Sequence, residues 1–388
     1  MNHASTALAL TGGGARAAYQ VGCLRAISGA RPDFSPGVLT GVSAGAINAA
    51  HLGSRSDSFP AAVERLNGLW RSLDTELVFR VDPLSLAGRL IGWGTRLLSG
   101  GAAPPVRGMV DATPLREFLS RHLPLEAGRL AGIRRAIDAG ALRACAITTT
   151  SYASGSSITW VQGEDIELWR RPQRQALRAE LTLDHVLASA ALPLFFPAVR
   201  IGDEWHGDGG IRQTAPLSPA MHLGAKRILA VSPRFQRGDE PNRERSLGYP
   251  APARVAGILA NAVFLDMLDF DALQMQRINT LLAHVPEAAR GHLREVHVLI
   301  LRPSRDLGRL AAEHEYRLPR AFRFLGRGLG AREGRNADVL SMVNFEPEFI
   351  ARLIELGEED ARARMGEIAS FLDGESPRWT GRDPAARR

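Results

Sequence analysis

Three short segments of the sequence carry residues whose types and spacing could do chemistry. Gly12, Gly13 and Gly14 form a glycine loop, Ser43 stands inside a G-x-S-x-G pattern, and Asp208 precedes two further glycines. A serine hydroxyl becomes a nucleophile when a base takes its proton, and a carboxylate can be that base. The free backbone N–H groups of a glycine loop bind negative charge, such as the oxygen of a reacting ester. The three segments together indicate acyl transfer through a serine.

The pattern around the serine has the context of a nucleophile elbow. Gly41 and Gly45 flank Ser43, the apolar residues 38–42 predict a strand before it, and the small residues 44–51 predict a helix after it. In such an elbow the backbone is strained and the hydroxyl is exposed at the helix N-terminus. A turn with a purely structural serine can produce the same pattern by chance. A glycine loop in a neighbouring strand–helix turn argues against that alternative.

The glycine loop could also hold the phosphates of a cofactor. Gly12, Gly14 and Ala17 fit the dinucleotide fingerprint, and Asp33 lies about 20 residues further on, where a ribose partner is expected. That acid should end the second strand, whereas Asp33 lies in a Pro/Gly-rich turn before it. No G-K-[ST] follows the glycines, which excludes a P-loop. We therefore interpret Gly12, Gly13, Gly14, Ala15 and Arg16 as an oxyanion loop and expect no cofactor.

The base for the serine has two candidate types. Asp208, with Gly209 and Gly210, would be a tight turn if it stood alone, but beside a candidate nucleophile it becomes a candidate base. A Ser-His-Asp carboxylesterase of the α/β-hydrolase type is the alternative, because the chain order Ser…Asp…His is available. Its histidine would be one of those after Asp208, namely His222, His284, His292, His297 and His314. His206, two residues before Asp208, could assist either chemistry.

The elements that must position these residues alternate along the chain. Apolar runs near 6–11, 38–42, 142–150, 227–232 and 295–301 predict strands, as do the residues 157–162, and helical periodicity separates most of them. Buried parallel strands read as continuous apolar runs because both faces of the sheet are covered. The alternation therefore predicts an α/β fold with a mostly parallel sheet.

The domain organisation follows from the same pattern. Residues 6–235 are expected to form the catalytic domain, and residues 236–375 a helical extension packed on it, with a further strand near 295–301. Residues 82–110 combine leucines with Gly and Pro, which predicts a lid or a membrane-contacting flap, or an ordinary helical excursion over the core. The Arg-rich residues 376–388 are expected to be a disordered tail.

Composition limits the classes of function. The chain has 388 residues, a net charge of +7, 6% aromatic residues and two cysteines. Its arginines are dispersed and not interleaved with aromatics, which disfavours nucleic-acid binding but permits peripheral contact with an anionic membrane surface. No signal peptide or membrane-spanning run is recognisable, so a cytoplasmic location is expected. No cluster has metal-ligand spacing, and no metal is expected.

The three motifs in this order make the sequence similar to the patatin-like phospholipase family. That family joins a G-G-G-x-[KR]-G loop, a G-x-S-x-G elbow and a D-G-[GA] motif, and the segment ASAALPLFFPAV (188–199) resembles the A-S-x-A-x-P-x-x-F segment before the last motif. The resemblance covers about residues 8–231, and residues 344–364 resemble the tail of some bacterial members more weakly. Ala17 departs from the pattern, because the family usually has glycine there.

The resemblance implies a fold, a mechanism and a substrate class. The fold would be a three-layer α/β sandwich with a mostly parallel central sheet and a C-terminal helical extension. Ser43 and Asp208 would form a catalytic dyad that cleaves lipid acyl esters through an acyl-enzyme, with the oxyanion held by the Gly12–Gly14 loop and Arg16 helping to shape it. A non-catalytic lipid-binding relative would have lost Ser43 or Asp208, and this chain retains both.

Overall fold

A ten-stranded sheet with helices on both faces forms the centre of the molecule. The computed structural model describes residues 5–80, 108–236, 267–312 and 341–375. Within these ranges the strands are β1 (Thr6–Leu10), β2 (Val38–Val42), β3 (Ala144–Ser151), β4 (Ser157–Gly163), β5 (Arg170–Arg171), β6 (Arg174–Arg178), β7 (Val199–Ile201), β8 (Glu204–Asp208), β9 (Arg227–Val231) and β10 (His297–Leu301).

The helices of the described chain fall between these strands and after them. They are α1 (Ala18–Ala30), α2 (Ala44–Gly53), α3 (Phe59–Arg71), α4 (Thr75–Val78), α5 (Thr113–His122), α6 (Ala131–Asp138), α7 (Leu183–Ser189), α8 (Ser218–His222), α9 (Met267–Leu282), α10 (Leu307–Ala312), α11 (Pro347–Ala363) and α12 (Met365–Asp373). Short 3₁₀ helices occupy Gly14–Ala17, Gly209–Arg212 and Glu287–Ala289. No helix among these is long and apolar enough to cross a membrane.

The strand order is β10-β9-β1-β2-β3-β4-β6-β5. Strands β10, β9, β1, β2 and β3 run parallel, so their carboxyl ends lie at one edge of the sheet. The antiparallel strand β4 follows, and the short hairpin of β7 and β8 pairs with the end of β3. The predicted mostly parallel α/β sheet is confirmed, and the strand predicted at 157–162 is present as β4. The hairpin of β7 and β8 was not predicted, because its segment resembles a turn.

Alternating side chains of the buried strands pack on two helical layers. Leu8, Leu10, Leu39 and Leu229 face one core with α1, α2, α3 and α11. Ala7, Ala9 and Ala230 face the other core, which contains side chains of α8 and α9. This arrangement is the predicted three-layer sandwich, because a parallel sheet must bury both faces.

The C-terminal part is built into the same sheet and core. β10 pairs with β9 in parallel register, and α11 packs along α1. Helices α11 and α12 lie within the residues 236–375 that were expected to form a helical extension. Most of the predicted flap at 82–110 and the whole tail at 376–388 lie outside the described residues, and the boundary at residue 235 stays a prediction.

Candidate active site

Ser43 lies at the tight turn between β2 and α2. Its backbone has φ 56° and ψ −132°, a strained combination for a residue with a side chain. The turn is possible because Gly45 packs on the end of β1, where an added Cβ would lie 2.2 Å from the Leu10 carbonyl oxygen. Gly41 packs against Gly45 in the same way. The local sequence therefore forms the sharp elbow that the G-x-S-x-G pattern predicts.

Asp208 reaches Ser43 through the register of the central strands. β2 pairs with β3 as far as Val42 opposite Thr148, and the chain then turns away at Ser43. β8 pairs with the next stretch of β3, beginning with Asp208 opposite Thr149. The last residue of β8 therefore lies directly beyond the end of β2. Ser43 Oγ donates a hydrogen bond of 2.6 Å to Asp208 Oδ2.

The environment of the Asp208 carboxyl favours a proton. The residue is only 1% exposed, and this burial raises the pKa of Asp208 to about 7. Hydrogen bonds from Ser43 Oγ and from the Gly210 N–H, which lies 2.8 Å from Oδ1, lower the pKa in part. Gly209 is required beside it, because a Cβ there would lie 2.1 Å from the Thr148 carbonyl oxygen. A carboxylate with a pKa near neutrality is a stronger base than an ordinary aspartate.

Ser189, the last residue of α7, forms hydrogen bonds that fix the backbone of the elbow. Its hydroxyl accepts a 2.9 Å hydrogen bond from the Ser43 N–H and donates one of 2.6 Å to the Thr148 carbonyl. These bonds connect the elbow to β3, the strand that also carries β8. No role was predicted for Ser189, although the A-S-x-A part of the segment at 188–199 contains it.

The glycine loop runs beside the hydroxyl of Ser43. A Cβ added to Gly12 would lie 2.9 Å from Ser43 Cβ and 3.5 Å from its Oγ. Gly13 packs against Pro233, and Gly14 begins the 3₁₀ helix. Within the described residues, the N–H groups of Gly12, Gly13 and Gly14 donate to no protein acceptor. These N–H groups are candidate donors to an external oxygen.

The rest of the loop is anchored to the C-terminal part of the chain. Ala15 and Arg16 are buried, and Arg16 Nε donates a 2.6 Å hydrogen bond to Ser341 Oγ. The Arg16 N–H itself donates to the Gly13 carbonyl at 3.2 Å. Ala17, the residue that departs from the family pattern, has φ −67° and ψ −10°, which is ordinary helical backbone open to alanine.

An apolar pocket opens beside Ser43. Ser43 and Gly14 line it, so the hydroxyl and the glycine loop face the same space. Its apolar walls come from distant parts of the chain: Ile47, Leu69, Trp70, Leu115, Phe118, Leu119, Phe196, Met342, Val343 and Phe345. An apolar lining of this kind suits a hydrocarbon chain.

The described histidines make no hydrogen bond to Ser43 or Asp208. His206 bonds through Nδ1 to Thr149 Oγ1 at 3.1 Å, and burial lowers its pKa. The later candidates lie on α8, after α9, before β10 and on β10, namely His222, His284, His292 and His297. His314 lies outside the described residues. The geometry therefore favours a direct Ser–Asp pair over a triad among the described histidines.

A mostly parallel α/β sandwich with a serine elbow and a hydrogen-bonded carboxylate is typical of serine-dependent acyl hydrolases. The family model for patatin-like phospholipases (Patatin) matches residues 8–221, more than half of the chain. The chain belongs to the patatin-like phospholipase family. Among curated proteins, no relative matches it.

Solved structures provide more distant likenesses. Human GIVD cytosolic phospholipase A2 is 14% identical over 95% of this chain and 60% of its own, with a TM-score of 0.45. The same human protein in complex with methyl gamma-linolenyl fluorophosphonate is 14% identical over 96% and 59%, with a TM-score of 0.42. The type III effector protein ExoU is 18% identical over 94% and 78%, with a TM-score of 0.25. This chain spans about three fifths of the length of the human chain.

Proposed function

We propose that the protein is a serine acyl hydrolase that cleaves lipid acyl esters, with phospholipase A or lysophospholipase activity. The observation that carries the proposal is the 2.6 Å hydrogen bond from Ser43 Oγ to Asp208 Oδ2 at the apolar pocket. Membership of the patatin-like phospholipase family supports the lipid substrate. The pocket would hold the acyl chain and leave the ester carbonyl beside Ser43.

Acylation begins when Asp208 takes the proton of Ser43 Oγ. The serine oxygen attacks the ester carbonyl, and the N–H groups of Gly12, Gly13 and Gly14 bind the resulting oxyanion. Such donors stabilise charge that is present only in the transition state and intermediate. Asp208 then returns its proton to the leaving alcohol, and the acyl group stays on Ser43.

Deacylation repeats these steps with water. Asp208 takes a proton from a water molecule, which attacks the acyl-enzyme carbonyl and releases a fatty acid. Ser43 recovers its proton from Asp208. Because the pKa of Asp208 is about 7, its basic form is substantially populated at neutral pH.

Hydrolysis of a series of acyl esters by the full chain tests the proposal. Ser43→Ala should lower kcat by at least about 10⁴-fold, and Asp208→Asn by about 10²- to 10⁴-fold, because each removes a group that acts in the transition state. In the wild type, kcat/KM should fall about tenfold per pH unit below pH 7 as Asp208 becomes protonated. Long-chain esters should be favoured over acetyl esters by the apolar pocket.

Alanine variants of His206, His222, His284, His292, His297 and His314 provide the matched controls. All should retain rates near that of the wild type. A histidine variant as inactive as Ser43→Ala would show that the enzyme is a Ser-His-Asp carboxylesterase and does not use the dyad. A wild type that hydrolyses none of the esters would favour the lipid-binding alternative.

Peripheral contact with a lipid surface is part of the proposed function. Leu194 lies between the pocket residues Leu192 and Phe196, is 72% exposed and has φ 65°. Its carbonyl accepts a hydrogen bond from the N–H of Met109, whose side chain is also exposed. A strained backbone that holds a leucine in solvent beside an apolar pocket suits insertion into a lipid surface.

A further inference from the structure

We infer that Gln20 is a positioning residue for the oxyanion loop: its side-chain amide holds the Thr11 carbonyl and thereby sets the direction of the Gly12 N–H. The inference rests on the proposed function, because it concerns how the loop binds an oxyanion. Gln20 does not touch the pocket, and it acts through the backbone of its neighbour.

The contacts of Gln20 lie where β1 passes into the glycine loop. Gln20 is on the first turn of α1 and is fully buried. Its Nε2 donates a 2.8 Å hydrogen bond to the carbonyl of Thr11, the residue that follows β1, and one of 3.1 Å to the carbonyl of Val231. The two amide protons of Gln20 therefore bind backbone carbonyls at the ends of β1 and β9.

The Thr11 carbonyl and the Gly12 N–H belong to one peptide unit. The described chain has no cis peptide bond, so this unit is trans and planar. In a trans peptide the C=O and N–H bonds point in opposite directions. A donor that holds the carbonyl on one side therefore directs the N–H to the other. Gly12 itself lies beside Ser43, because an added Cβ would be 2.9 Å from Ser43 Cβ.

A buried hydrogen-bond relay, formed by Trp70, Asn48 and Gln20, sets the orientation of the Gln20 amide. Trp70 Nε1 donates to Asn48 Oδ1 at 2.7 Å, and Asn48 Nδ2 donates to Gln20 Oε1 at 2.8 Å. An indole N–H can only donate, so Asn48 must turn its oxygen to Trp70 and its nitrogen to Gln20. Gln20 must then turn its own nitrogen to Thr11. One donor-only group thus fixes the polarity of the whole relay.

The relay also connects the acyl pocket to the loop, because Trp70 lines that pocket. Gln20, Asn48 and Trp70 are each no more than 1% exposed. Their hydrogen bonds are mutually satisfied, which rigidifies a buried polar network. We therefore expect the loop to be preorganised before a substrate binds.

Two variants break the relay in different ways. Gln20→Met keeps a similar volume but leaves the Thr11 carbonyl without its donor. Asn48→Asp is nearly isosteric and still accepts from Trp70, but it presents an oxygen to Gln20. The Gln20 amide must then rotate, and its oxygen replaces its nitrogen at Thr11. The second variant reaches the same defect without altering Gln20, so it remains informative if Gln20→Met does not fold.

Gln162→Met is the matched control. Gln162 is also buried, on β4, and its Oε1 accepts a 2.8 Å hydrogen bond from the Leu181 N–H. It contacts neither the glycine loop nor the pocket. Replacing it removes a comparable buried amide, so its effect on the melting temperature measures the general cost of the change.

The test compares kcat, KM and melting temperature on an oxygen ester and on the corresponding thionoester. Both relay variants should lose about 10- to 100-fold in kcat with KM within about twofold, while Gln162→Met keeps its kcat. They should also lose part of the wild-type preference for the oxygen ester, because sulfur is a weaker hydrogen-bond acceptor and gains less from the loop. A merely structural role would lower the melting temperature without changing this preference.

Specific results would overturn the inference. If wild type is active, Ser43→Ala is inactive and both relay variants match Gln162→Met in kcat and in ester preference, the positioning role is wrong and the proposed function stands. If Ser43→Ala retains activity, the proposed function fails, and the inference fails with it.

Discussion

Replacing Asp208 by asparagine should lower activity and stabilise the fold, and the stabilisation should grow with pH. The buried carboxyl has a pKa of about 7 in the folded chain and an ordinary value of 3.8 when unfolded. A group whose pKa is raised by folding contributes full stability below its unfolded pKa, and that contribution is lost as the pH rises through its folded pKa. Asparagine has no charge to lose or gain.

The magnitude follows from the two pKa values. Between about pH 5 and pH 7 the unfolded aspartate is ionised while the folded one is still largely protonated. Each pH unit in this window removes about 1.4 kcal/mol of folding free energy from the wild type, so the gap between variant and wild type should widen by about 2–3 kcal/mol. Asparagine can keep both hydrogen bonds, with Oδ1 accepting from Gly210 and Nδ2 donating to Ser43 Oγ.

Urea unfolding at pH 5, 6, 7 and 8 measures this gap. Asp203→Asn is the control, because it removes a carboxyl from a side chain that is fully exposed beside Arg200. The reasoning is refuted if the Asp208→Asn gap changes with pH no more than the Asp203→Asn gap does, since burial would then not have raised the pKa of Asp208. It is refuted as well if the variant becomes relatively less stable as the pH rises.

Two further predictions concern residues beside the pair. Ser189→Ala leaves the buried Ser43 N–H without its acceptor. We therefore expect the unfolding free energy to fall by about 1–3 kcal/mol and kcat to be lower. Urea unfolding and ester assays measure both quantities, and unchanged values would contradict the prediction. Leu194→Asn places a residue that tolerates positive φ on the exposed turn, so stability should hold or rise while vesicle binding falls. Flotation with anionic vesicles and hydrolysis of a soluble ester separate the effects, and undiminished flotation would exclude Leu194 as a membrane contact.

Local sequence was sufficient to predict the elements and the elbow. Apolar runs predicted β1, β2, β3, β9 and β10, because strands buried on both faces need apolar residues at consecutive positions. The turn at Ser43 was equally predictable, because a glycine on each side of the serine is a local requirement of the elbow.

The sequence did not predict every strand or how the strands pair. β8 has the sequence EWHGD, and its glycine and charged ends resemble a turn, so the strand was not predicted. Its pairing with β3 is nevertheless what brings Asp208 to Ser43. The motif around Asp208 made it a candidate base and the family resemblance paired it with Ser43, while the register of β8 against the end of β3 provides the physical reason that it can reach the serine.

The sequence by itself determined the three motifs, the alternation of strands and helices and the residue types available for chemistry, because these depend on neighbours along the chain. Only the tertiary structure decided which distant groups meet. The Ser43–Asp208 bond joins residues 165 positions apart, and Arg16 and Ser341 are 325 apart. The pocket walls and the Gln20 relay likewise join separate elements. Such contacts depend on strand register and helix packing, which are set by the burial of the whole core and leave no periodicity in the local sequence.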